Sequence, residues 1–178
     1  AGAVFLGAST ALYFIRDLGN VQPGQQVLIY GASGGIGTYA VQLAKHFGAE
    51  VTGVCSGANL AMVEGLGADR VIDYTKEDFT SSGEAYDLIF DAAGKTSFSR
   101  CKGSLKEKGI FLPVIMGLRE IVQLIWTPMT GGKKVKSGVA NERLEDLEFF
   151  RALIEAGELK PVIDRCYRLE RAAEAFRY

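Results

Sequence analysis

A strand that breaks into a glycine turn and restarts as a helix constrains this chain more than any other feature. Val27-Leu28-Ile29-Tyr30 is apolar, Gly31-Ala32-Ser33-Gly34-Gly35-Ile36-Gly37 is the turn, and Thr38 to Ala44 carries helical spacing. Glycines let backbone N–H groups approach an anion that a Cβ would push away. A helix start presents unpaired N–H groups and the positive end of its dipole to the same point. The turn reads A-x-G-x-x-G, with Ala32 at the first fingerprint position, Gly34 for close approach and Gly37 for helix–strand packing. A second strand, Glu50 to Cys55, completes a βαβ unit. That context turns a weak glycine pattern into an expected pyrophosphate cradle made of Ala32, Ser33, Gly34, Gly35, Ile36 and Gly37.

Beyond that unit, apolar strands alternate with helical patterns. The spacing predicts a buried helix through Val4-Phe5-Leu6 and Ala11 to Ile15, a helix over 59–66 closed by Gly67, and strands at Arg70 to Tyr74 and Tyr86 to Asp91. It continues with a helix over 96–106, a strand from Gly109 to Ile115, an apolar helix over 118–127, a strand from Lys134 to Ala140 and a helix over 142–156. That last helix has Asn141 as N-cap, Leu144, Leu147, Phe150 and Ile154 on one face, and Gly157 beyond its end. Near-continuous apolar strands in β-α order mean a parallel sheet covered on both faces. The expected fold class is therefore α/β, a doubly wound parallel sheet of the Rossmann type over residues 1–158. Lys160 to Leu169 reads as one further strand, within a return segment 159–178 that leads towards another domain. The abrupt start at Ala1 and the unterminated run Glu170 to Tyr178 read as the ends of a fragment.

Composition narrows the partners. With 20 basic and 21 acidic residues the net charge is −1, which supplies no electrostatic footprint for nucleic acid or an anionic membrane. The sequence shows no charged-then-apolar leader and no apolar run of roughly 18 residues, so a soluble chain is expected. Cysteines at 55, 101 and 166 and a single His argue against a disulfide framework and a Cys/His zinc site, and point to a reducing, cytoplasmic setting with no metal.

Several conspicuous residues have ordinary readings. His46 lies off the Ile36, Ala40, Leu43, Phe47 stripe and reads as a surface residue at a helix end, while Cys55 reads as a small apolar strand residue. Asp87 and Asp91 share one face of a strand as structural hydrogen-bond partners, and Lys133, Lys134 and Lys136 read as a charged sheet edge. The spacing Gly31-x-x-x-Gly35-x-Gly37 also fits short-chain dehydrogenases. Their catalytic Tyr-x-x-x-Lys is absent, because Asp17, Gly34, Leu43, Asp78, Phe90 and Arg171 stand four residues after the candidate tyrosines.

Longer blocks carry a more specific resemblance. Gln22-Pro23-Gly24 leads into the glycine turn, Leu66-Gly67-Ala68-Asp69 precedes Val71-Ile72-Asp73-Tyr74, Phe90-Asp91-Ala92-Ala93-Gly94 follows, and Ile154 to Asp164 closes the set. In these blocks the chain resembles the medium-chain dehydrogenase/reductase superfamily, specifically its zinc-independent NADPH:quinone oxidoreductase-like branch. The resemblance implies a cofactor domain whose GroES-like catalytic domain lies outside this chain. It also implies hydride transfer from NADPH to an electrophilic small molecule such as a quinone or an α,β-unsaturated carbonyl, and a homodimer formed by edge pairing. An enoyl or alkenal reductase, a zinc-type alcohol dehydrogenase and a non-catalytic NADPH binder stay open as alternatives. No general acid is identified.

Cofactor choice rests first on charge. An NAD-preferring site places Asp or Glu at the end of the second strand to hold the ribose, and this chain has Cys55-Ser56 there, which permits a 2′-phosphate. The resemblance implies Ser56 and Tyr74 around that phosphate and a Lys or Arg where this chain has Ala58. The missing cation leaves Asn59 and Lys76 as substitutes, and NADP(H) as the favoured cofactor. The resemblance further places Thr10 near the nicotinamide, with Leu112 and Val114 on the strand end that passes the ring. Helix and strand interiors are the ordinary alternatives for these residues.

Overall fold

A computed structural model describes residues 2–115, 117, 124, 132–141 and 143–177. Helix α1 (Gly2–Leu12) runs into a π-helical stretch, Tyr13–Leu18, and then the sheet begins. The order is β1 (Gln26–Tyr30), α2 (Gly37–His46), β2 (Glu50–Cys55), α3 (Leu60–Gly65), β3 (Arg70–Asp73), β4 (Tyr86–Asp91), α4 (Phe98–Cys101), β5 (Leu105–Pro113) and β6 (Lys134–Val135). Helix α5 (Leu144–Glu155) and the short α6 (Ala172–Ala175) follow.

The six strands lie in the order β3-β2-β1-β4-β5-β6 with every pair parallel. This is the doubly wound arrangement expected from the alternation. Its cause is visible in the strands, where neighbours along the chain enter opposite cores. Val27, Ile29, Leu88 and Phe90 pack with Phe14, Leu43 and Phe150 on one side, while Leu28 and Ile89 pack with Val54, Ile72 and Phe111 on the other. A strand buried on both faces has to be apolar throughout. The order reverses between β1 and β4, so the turn after β1 and the loop after β4 border the crevice where such sheets take their ligands.

Several boundaries move for physical reasons. The helix expected over 96–106 is only α4 plus a 3₁₀ turn, Lys102–Ser104. Strand β5 starts at Leu105, earlier than expected, through a register shift that pairs Tyr86 with Leu105 and Leu88 with Ile110. The strand expected from Lys134 to Ala140 stops at Val135; the Lys136 N–H still donates to the Phe111 carbonyl (3.0 Å), and beyond it side chains tie the segment to its neighbours. Lys136 Nζ donates to the Leu18 carbonyl (2.9 Å) and Ser137 Oγ to the Pro113 carbonyl (2.8 Å). The N-cap of α5 is Arg143, not Asn141, and its inward face is Asp146, Phe150 and Leu153. Of the expected stripe Phe150 is buried and Leu144 is exposed, while Asp146 is buried and pairs with Arg16 at 2.7 Å. Lys160 to Leu169 forms no strand. Lys160 exchanges two hydrogen bonds with the Gln42 amide (2.7 and 3.1 Å), and the chain beyond it lies exposed without a sheet edge to pair with. The apolar helix expected over 118–127 lies outside the described residues.

Candidate functional site

Gly31 holds the turn after β1 together. Its φ of +83° is the left-handed value that glycine adopts freely, and its N–H and that of Ala32 both donate to the Val54 carbonyl (2.9 and 3.0 Å). A Cβ on Gly37 would run into the Gly31 carbonyl oxygen, which makes the third glycine a packing residue. Gly34 is different. The residue is exposed, and a Cβ there would meet only the Gly31 oxygen, closely, at 3.3 Å. The left-handed conformation that Gly34 could have needed belongs instead to Gly31.

Helix α2 starts behind this turn without a side-chain cap. Thr38 donates to Gly34 and Ala40 to Ile36, but the N–H groups of Ser33, Gly35, Ile36 and Gly37 have no acceptor among the described residues. Such orphan donors at a helix start are what an anion satisfies. The same turn contributes Ser33 and Gly34 to a cavity of about 470 Å³ lined also by Ser56, Tyr74, Ala93 and Lys95, among others. Tyr30 and Cys55 also contribute to its wall. The cavity volume and the free N–H cradle suit a nucleotide with a pyrophosphate.

The expected site residues divide into those the cavity gathers and those it does not. Ser33, Gly34, Ser56 and Tyr74 line it. Asn59 does not, and supports Ser56 from behind: its Nδ2 donates to Ser56 Oγ at 3.0 Å, which leaves the serine hydroxyl hydrogen free to be donated outward. Ala32 is fully buried, with its Cβ 3.1 Å from where a side chain on Gly53 would begin, so it shapes the turn without lining the cavity. Gly35, Ile36 and Gly37 follow in the turn and are not in the cavity wall; their N–H groups have no acceptor among the described residues. Leu112 is fully buried in the core on the strand end expected to pass the nicotinamide ring, and Val114 is half-buried beyond it. Thr10 lies half-buried on α1, one turn past Gly7, and is not in the cavity wall. The substitute cation Lys76 sits 3.8 Å from Asp73 with its side chain 78% exposed, outside the cavity.

Some residues that matter here were not singled out from the sequence. Asp73 ends β3 in register with Cys55, so a carboxylate stands beside the second βα turn even though β2 itself ends without one. Thr75 satisfies it through its hydroxyl (2.7 Å) and its N–H (3.0 Å), and with the Gly57 N–H holds this carboxyl below the usual carboxylate range. Asp73 is therefore charged but locally neutralised by donors. Asp91 is buried beneath the loop after β4 and accepts N–H bonds from Ala93 (3.1 Å), Lys95 (3.3 Å) and Thr96 (2.9 Å), the structural role expected of it. Asp87 accepts from the Gln26 N–H at 2.8 Å. Burial pushes the Cys55 thiol up, and the nearby Asp73 charge adds to this, so the sulfur stays protonated in the cavity wall. Gly7 lets α1 lie on the glycine turn, since a Cβ would run into the Gly35 carbonyl oxygen. His46 ends α2 and bonds Glu158 at 2.9 Å, away from the cavity.

A family model described as zinc-binding dehydrogenase matches residues 66–178. A chloroplastic quinone-oxidoreductase of Triphysaria versicolor is 35% identical over 159 residues, covering 86% of this chain and 48% of that protein. The chloroplastic NADPH-dependent alkenal/one oxidoreductase of Arabidopsis thaliana is 33% identical, covering 87% of this chain and 37% of its own length. The quinone oxidoreductase structure from Coxiella burnetii superposes with a TM-score of 0.87 at 28% identity, over 99% of this chain and 55% of that one. The chain spans about half the length of the curated relatives it matches. Among the described residues no three His, Cys, Asp or Glu side chains converge as a metal set. The expectation of a cytoplasmic setting does not stand. Similar proteins are named as chloroplastic or mitochondrial, and a low cysteine count does not specify a compartment.

Proposed function

Since the chain belongs to the zinc-binding dehydrogenase family, in the quinone oxidoreductase-like branch of the medium-chain dehydrogenase/reductase superfamily, we propose that it is the NADP(H)-holding half of an oxidoreductase. The substrate is a quinone or a related electrophilic carbonyl. One observation carries this reading: the glycine turn, in which the N–H groups of Ser33, Gly35, Ile36 and Gly37 have no acceptor among the described residues, places Ser33 and Gly34 in the wall of a cavity that also presents Ser56 and Tyr74. NADPH, when bound, supplies the hydride. The chain's own residues bind and orient. The N–H cradle takes the pyrophosphate, the Ser56 hydroxyl donates to the 2′-phosphate with Tyr74 beside it, and Thr10 and Val114 mark the nicotinamide end. The relative named an alkenal/one oxidoreductase favours an enone as the competing acceptor. A homodimer paired along the β6 edge belongs to the same proposal.

Two measurements test it. Nicotinamide fluorescence titration of this chain should show saturable NADPH binding, and the full-length protein should oxidise NADPH with a quinone faster than it reduces NADP⁺ with an alcohol. Absence of NADPH binding by both would overturn the reading. Faster turnover of an enone than of a quinone would move the substrate class to enones.

A further inference from the structure

The second βα turn offers no cation to a 2′-phosphate, because Ala58 stands where a basic residue would serve. The loop after β4 does. Lys95 is the one charged side chain among the described residues that line the 470 Å³ cavity, and it faces the same space as Ser56 and Tyr74. Its ammonium forms no ion pair among the described residues. The other nearby cations are engaged. Arg100 pairs with Asp78 at 2.9 Å and Lys76 lies 3.8 Å from Asp73, and both line a separate cavity of about 220 Å³ beyond Tyr30 and Tyr74.

The backbone beneath Lys95 is held in place. Asp91, fully buried, gathers the N–H groups of Ala93, Lys95 and Thr96, so the loop is wrapped around a fixed carboxylate and the root of the lysine is positioned at the cavity edge. A compact ammonium on a flexible four-carbon stem can reach across a cleft to a phosphate. We propose that Lys95 is the cofactor-specificity residue of this chain, pairing with the 2′-phosphate of the adenosine ribose from the side of the cavity opposite Ser56. It thereby takes over the role left vacant at Ala58. The inference rests on the NADP(H) reading above and adds the residue that reads the phosphate.

Titration of the protein and its Lys95→Gln and Lys95→Arg variants with NADPH, NADH, 2′,5′-ADP and 5′-AMP tests this. Lys95→Gln should weaken NADPH and 2′,5′-ADP about tenfold and leave NADH and 5′-AMP unchanged, as removal of one charge-assisted contact predicts. Lys95→Arg should retain most of the affinity, Lys76→Met should change none of it, and the difference between parent and Lys95→Gln should shrink as salt rises. Equal weakening of all four ligands would place the lysine on a phosphate they share and overturn the assignment, as would no weakening in a parent that prefers NADPH. A parent that binds 5′-AMP and NADH but discriminates against 2′,5′-ADP would overturn the NADP(H) reading itself, a result distinguishable from failure of Lys95 alone.

Discussion

At the scale of single residues, the cavity separates positions that touch a ligand from those that build the wall. Gly34 is exposed and a Cβ there meets only the Gly31 oxygen, at 3.3 Å, so Gly34→Val should keep the fold after a small adjustment of the turn while filling the place where a pyrophosphate meets backbone. NADPH affinity should be lost with the thermal midpoint within a few degrees of the parent; unchanged affinity in a folded variant would withdraw Gly34 from the cradle. Ala58 is exposed beside Ser56. Ala58→Lys should strengthen NADPH binding by about 1.4 kcal/mol, roughly tenfold, leave NADH nearly unchanged, and restore affinity to Lys95→Gln. Equal gains for both cofactors would show the new lysine acting on something other than the 2′-phosphate. Ser33, Gly34 and Ser56 were legible from residue type and spacing. Lys95 was not, because a lone lysine after Ala92-Ala93-Gly94 acquires meaning only when the loop is seen to wrap around Asp91.

At the scale of elements, the decisive contact is α1 lying against the glycine turn. Gly7 approaches the Gly35 carbonyl and the Tyr39 ring so closely that Gly7→Val has to displace one of them. A destabilisation of about 1–3 kcal/mol is expected from such overpacking, read as a shift in the urea midpoint, together with weaker NADPH binding as the turn moves. Gly65 lies on α3 with open space where a side chain would begin, so Gly65→Ala is the control. It should stabilise by up to about 1 kcal/mol through helix propensity alone. A neutral Gly7→Val would mean that α1 does not hold the turn. The helices also show where pattern fails. In α5 the apolar stripe was readable at Phe150, but Leu144 is exposed and the buried face includes Asp146, whose carboxylate is paired with Arg16.

At the scale of the whole molecule, three carboxylates tie stability to pH. Asp69 is pushed up by burial but held below its ordinary value of 3.8 by Lys45 and the Val51 N–H. Asp73 is held low by Thr75, and Asp78 by the Thr80 N–H and hydroxyl. A depressed carboxylate contributes stability that is fully present above its unfolded pKa and is lost as pH falls through its folded one. Urea midpoints should therefore stay level down to about pH 4 and fall below it, more shallowly in Asp73→Asn than in the parent. An equal acid slope in that variant would remove Asp73 from the set. The proposed dimer is tested on the same scale. Val139 is exposed just past the β6 edge, so Val139→Pro should shift the protein towards monomer in sedimentation with its thermal midpoint unchanged. A parent that is monomeric at every accessible concentration would end that proposal.

The sequence by itself determined the glycine turn, the strand Tyr86–Asp91 to the residue, and the parallel two-faced character of the sheet. Each of these is written in local spacing: where glycines fall, and whether apolar residues run on or alternate. Tertiary structure decided the strand order and the fate of Lys160 to Leu169, which pairs with no strand. It also decided the site's composition. Ser56, Tyr74 and Lys95 come from three different strand ends, and only the order β3-β2-β1-β4 brings those ends around one cavity. Pairing between distant strands depends on contacts that no local window contains.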